Sequence, residues 1–147
     1  MNYFTAQGRW PAAATALYVL WGLLHVGLGA SMILAGLSSG PPADEQAAES
    51  LMFFVCAVVF GAQAIAVALT MNRLNSRGGH WLNLVVLGVV DAAFLALMVR
   101  PGHVDVVGGL SGPVVWLLAA IASTLAQRRG PYGDAAASDR RPRRSSA

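Results

Sequence analysis

Lysine is absent from this chain, and all ten of its basic residues are arginine. Charge of either sign is scarce: Asp, Glu, Lys and Arg make up 12% of the residues, where a soluble domain carries about 25%. So few charges cannot furnish a water-facing surface, and a hydrophobic content of 56% with mean hydropathy +0.56 points to lipid as the main solvent. A lone cysteine, Cys56, removes intramolecular disulfides, Cys-x-x-Cys redox pairs and thiolate zinc sites. No phosphate-binding glycine loop, paired catalytic carboxylates, metal triad or serine-nucleophile motif occurs, so hydrolase and nucleotide chemistry have no residues to stand on. These gaps favour a protein that is not an enzyme and carries no metal or other cofactor. The prevalence of Ala, Gly, Val and Arg suggests GC-rich coding and hence a bacterial source.

What the chain does have is four apolar stretches, at about residues 12–37, 51–71, 81–99 and 104–126. The first, Ala12 to Leu37, would cover about 39 Å as a helix, more than the ~30 Å hydrocarbon core. It exceeds the short core of a secretory leader, so a retained helix is expected. Ser38 to Ser50 brings Gly40, Pro41 and Pro42 with three acids, which predicts an outer loop. Asn72 to His80 predicts a short basic turn, and Arg100-Pro101-Gly102 closes the third stretch. In the fourth, a helix confined to Pro113 to Ala126 would reach only about 21 Å, so something before the proline must enter the membrane. Either a kinked helix from about Val104 or an irregular approach is expected there. Gly108-x-x-x-Gly112 reads as a glycine-rich turn ahead of Pro113.

The arginines set the topology. Arg9, Arg73, Arg77, Arg128, Arg129 and the arginines at 140, 141, 143 and 144 fall on one side, against Arg100 alone on the other. Basic residues favour the cytoplasmic face, so both termini are expected inside. The expected organisation is a cytoplasmic flank at 1–11, a four-span domain at 12–126, and a disordered Arg-rich cytoplasmic tail at 127–147. The fold class is all-α, an integral membrane four-helix bundle. Tail residues Arg140, Arg141, Arg143 and Arg144 could attract anionic lipid. The net charge of +3 therefore reflects membrane orientation, and no nucleic-acid partner is expected.

Polar residues at membrane depth are the candidates for function. Span midpoints fall near Leu24, Gly61, Val90 and Val115, which places His25, Gln63, Asp91 and Trp116 in one layer. An Asp at a helix centre costs roughly 2.5–3.5 kcal/mol on insertion scales, so it should face inward and find a partner. His25 is the expected partner, as acceptor or counter-charge. On the first helix Tyr18, Trp21, His25, Gly29 and Met32 share a stripe; on the third, Leu84, Gly88, Asp91, Leu95 and Met98 do. A glycine one turn before each ionisable group, Gly22 and Gly88, hints at two related hairpins.

Two readings follow. In one, His25 and Asp91, lined by Tyr18, Trp21, Gln63 and Trp116, form a site that binds or transports a small molecule or protons. In the other, the chain is a structural or accessory subunit, part of a homo-oligomer or larger membrane complex, and the same residues only lock helix packing. A bis-histidine haem would need a second imidazole at mid-depth, and His80 and His103 lie near opposite ends of the third stretch. In length and four-span layout, residues 12–126 resemble the DoxX-like group of small bacterial inner-membrane proteins. That resemblance of layout implies a four-span fold in the inner (plasma) membrane and no residue roles. Small multidrug transporters share the size, but their first-span glutamate has no counterpart here.

Overall fold

The computed structural model describes residues 9–38 and 40–128, and these are helical apart from short connections. Helix α1 spans Arg9–Ser38, α2 Glu45–Thr70, α3 Arg77–Phe94 and α4 Val106–Arg128. A 3₁₀ turn at Asn72–Leu74 follows α2, and a π-helical turn at Leu95–Val99 continues α3. All four helices are long and apolar enough to cross a membrane. Arg129 and the lipid-facing arginines expected at 140, 141, 143 and 144 lie outside the described residues.

Capping explains where the helices start. Asp44 is extended, and its carboxylate accepts the Ala47 N–H at 2.8 Å. That bond satisfies one of the free donors of a helix start, and Glu45 in the first turn opposes the macrodipole. Much of the expected acidic loop is therefore helical, and α2 begins ahead of the apolar run that opens at Leu51. Asp44→Ala is expected to lower stability by about 1 kcal/mol, read as a lower melting temperature in detergent. Ser76 caps α3 in the same way through the Gly79 N–H.

Asn75 carries the tight turn between α2 and α3 in a left-handed conformation, φ 54°. Its side-chain amide donates to the Ala126 carbonyl at 3.1 Å, and Gln127 donates to its carbonyl at 3.0 Å. The α2–α3 turn is thus tied to the last turn of α4.

In the fourth stretch the helical alternative fits, with α4 starting at Val106, but the glycine reading does not. The predicted glycine turn is helix: α4 runs unbroken through Pro113. Proline has no N–H, so the Gly109 carbonyl loses its helical donor, yet the rest of the ladder stays closed, as lipid demands. The glycines serve packing. Gly109 lies against Val99 of α3's extension, and Gly112 lies against the His25 ring of α1.

α1 packs along α2 and α4, while α3 touches both α4 and α2. The α1–α2 approach is close, since a β-carbon built on Gly22 would come within 2.6 Å of the Gly61 carbonyl oxygen. Interior positions on α2 and α4 are small: Gly61, Ala64 and Ala68 on one, Gly112, Ala119 and Ala122 on the other. Small residues let backbones approach where apolar lipid removes the usual driving force for burial. Bulk goes outward instead, with Leu34 71% and Val107 86% exposed. Such apolar surface is out of place in water and suits contact with lipid tails.

Candidate functional site

α3 carries the polar interior. His80, Asn83, Leu87 and Asp91 recur at three- and four-residue steps and are all buried on one face. The three polar members each bond to a different helix. The His80 Nδ1 lies 2.6 Å from the Ser123 hydroxyl of α4. Asn83 accepts from the Gln63 amide of α2 at 3.1 Å and donates to the Ala64 carbonyl at 3.5 Å. Asp91 Oδ2 accepts the Trp21 indole N–H of α1 at 3.1 Å.

The expected pairing of His25 with Asp91 is replaced by a relay through Trp21. No hydrogen bond joins imidazole to carboxyl directly among the described residues. The His25 ring stacks on the Trp21 indole, centroids 3.6 Å apart and planes 20° from parallel. Its Nδ1 sits 2.8 Å from the Trp21 carbonyl. A carbonyl can only accept, so Nδ1 holds a proton in this bond and a neutral ring presents Nε2 as a lone pair. The physical reason for the relay is reach. Trp21 stands one turn before His25 on the same stripe, and its longer ring brings an N–H to α3. Trp21 is fully buried and Asp91 is 3% exposed. No ion pair reaches Asp91 among the described residues.

The other expected site residues are dispersed. Gln63 bonds Asn83 rather than the Asp91 cluster, and its Oε1 is buried without a partner. The buried Tyr18 hydroxyl lies beside Ser123 without a hydrogen bond of good geometry. Trp116 packs over Gly88, with its indole N–H buried and unpartnered. Met32, placed on the α1 stripe by spacing, is 41% exposed. Leu84 and Gly88 are only half-buried, because the inward face of α3 is centred on Asn83 and Leu87.

Sequence reasoning missed His80, Asn83 and Ser123 as interior polar groups. The signal was present: stepping back from Asp91 by helical spacing reaches Leu87, Asn83 and His80 in turn. Among the described residues no three His, Cys, Asp or Glu side chains converge on a metal-sized site. An open groove of about 290 Å³ lies along α4 at Ala120, Ile121, Thr124, Leu125 and Arg128, and involves none of the cluster. Comparison with protein families, with characterised proteins and with solved structures gives no match to this chain.

Proposed function

We propose that this chain is a multi-pass inner-membrane protein, a four-helix bundle with both termini cytoplasmic, whose Trp21, His25 and Asp91 form a proton-binding site near mid-membrane. One observation carries the reading: Asp91, 3% exposed and well inside an apolar helix, receives a single hydrogen bond and no cation among the described residues. A carboxyl at that depth must hold a proton or acquire a counter-charge, and ionisable groups inside spans are functional by default. Taking up or releasing a proton changes what Asp91 asks of the Trp21 donor, because a bond to an ionised acceptor is roughly twice as strong. Trp21 transmits that change to the stacked His25, whose Nε2 can accept a second proton or a ligand donor. Tyr18, Gln63 and Trp116, with buried polar atoms free, supply further contacts to a small ligand moved with the proton. The arginines at 140, 141, 143 and 144 hold the tail against anionic lipid.

Infrared difference spectroscopy of the protein in lipid tests this reading. A pH-sensitive carbonyl band of a protonated carboxyl is expected, and Asp91→Asn should abolish it while leaving the melting temperature nearly unchanged. The asparagine oxygen can still accept from Trp21. A spectrum without a band assignable to Asp91 at any pH would refute the proton site.

A second reading has its own observation. α1 and α3 barely touch, yet the Trp21–Asp91 bond joins them, as a brace in an accessory subunit of a larger complex would. If Asp91→Asn and His25→Ala alter nothing but stability in detergent, the brace is the better account.

A further inference from the structure

The buried polar residues are distributed unevenly. Asn72, His80, Asn83, Asp91 and Ser123 are the buried polar or charged side chains among the described residues. All lie between the α2–α3 turn and the level of Asp91. Asn72 belongs to the turn, His80 to the first turn of α3, and Ser123 to the last turns of α4 that meet it. Among the described residues the buried unpartnered atoms are the Thr15 and Tyr18 hydroxyls, the Gln63 Oε1, both side-chain polar atoms of Asn72 and, packed over Gly88, the Trp116 Nε1. A buried polar atom without a protein partner is where a native structure holds water.

Beyond His25 the interior is of another kind. Gly29, Gly109 and Gly112 are the buried residues there, on α1 and α4. The polar side chains Ser31 and Ser111 are exposed and bonded to their own helix backbones. On the buried face of α3, Leu87 stands between Asn83 and Asp91, one turn from each and fully buried in an apolar cluster with Ala64, Ala68 and Ala119. His80 and Asp91 are about 16 Å apart along the α3 axis at ~1.5 Å per residue, so a short water file would join them once that leucine moved.

Resting on the proton-site reading above, we infer that access to Asp91 is one-sided: protons arrive from the α2–α3 turn end through the layer of Tyr18, His80, Asn83 and Ser123, with Leu87 as the apolar barrier before the carboxyl. His80 is the titratable relay of this layer. It meets Ser123 of α4, which in turn lies beside Tyr18 of α1, and Asn72 is the polar group beside α3's first turn. The charges at that end, Arg73, Arg77 and Arg128, are all exposed. Around Asp91 the polar neighbour is the Trp21 indole of α1, with the His25 ring stacked on it, while Gln63 of α2 bonds Asn83 and Trp116 of α4 packs over Gly88. At the opposite end Glu45, Glu49, Arg100, His103 and Asp105 are exposed, and among the described residues no buried polar group leads inward from them.

The test follows the deuterium shift of the Asp91 carboxyl band after the full-length protein in lipid is mixed into heavy water. Leu87→Ala is expected to speed exchange about tenfold, equivalent to ~1.4 kcal/mol off the barrier. Asn83→Leu should slow it, and Leu95→Ala, on the far side of Asp91, should leave it unchanged. Equal acceleration by Leu87→Ala and Leu95→Ala, or none by either, overturns one-sided access while a pH-sensitive Asp91 band keeps the site itself. Loss of any such band defeats the site and the path together. Should Leu87→Ala fail to fold, Asn83→Cys in a Cys56→Ser background decides. Labelling by a water-soluble methanethiosulfonate supports a wet layer, and no labelling overturns it.

Discussion

Truncating Trp21 to alanine is expected to destabilise the protein by about 3 kcal/mol, the low end of the range for a buried tryptophan. The low end applies because lipid tails are as apolar as the interior, so little is lost from transfer and most from packing. Trp21 is fully buried, stacks on His25 and donates to Asp91, so one substitution removes a core side chain and the only donor to a buried carboxyl among the described residues. Trp21→Phe separates the two contributions. It keeps an aromatic ring under the imidazole and deletes the N–H, with an expected cost of about 1–3 kcal/mol for leaving Asp91 unpartnered. Unfolding in mixed micelles measures both. A Trp21→Phe protein that melts with the wild type would contradict the indole–carboxyl bond.

Gly61→Val should have a comparable effect by a different route. A β-carbon on Gly61 would lie 2.7 Å from the Gly22 carbonyl oxygen and 2.9 Å from a Val26 methyl. The first obstacle is backbone, which cannot rotate away, so α1 and α2 must separate over their closest approach. Overpacking of this kind costs about 1–3 kcal/mol, occasionally more, and valine with its backbone obstacle belongs at the upper end. Gly27→Val is the control, because a β-carbon there meets nothing within 4 Å. Similar melting curves for the two variants would show that the α1–α2 contact is looser than the structure has it.

Hydropathy alone locates the four helices, since long uncharged runs are the strongest signal a membrane imposes. Their ends were less legible. Asp44, Glu45 and Glu49 look like loop residues by charge, yet one caps α2 and the others ride on its first turns. Pro113 and its glycines look like a turn, but within lipid an open turn leaves backbone groups unpaired, so helix wins. At the site, the inward placement of Asp91 could be read from its charge, whereas its partner could not. Counting depth along separate helices brings His25 and Asp91 to one level without saying which side chain crosses the gap. Trp21 does so because of its length and its N–H, which are facts of packing. Asn83 escapes a stripe that starts at Leu84, one position off the buried face of α3.

The three-way attachment of α3 bears on how the chain is made. Emerging from the ribosome in order, α1 and α2 already offer Trp21, Gln63 and the Ala64 carbonyl when the third segment enters the bilayer. Two of its three polar side chains therefore have waiting acceptors or donors at the moment of insertion. Only His80 must linger without its mate until Ser123 is synthesised, and it sits in the first turn of α3, close behind the exposed Arg77. The order of segments along the gene thus matches the depth at which each can tolerate delay.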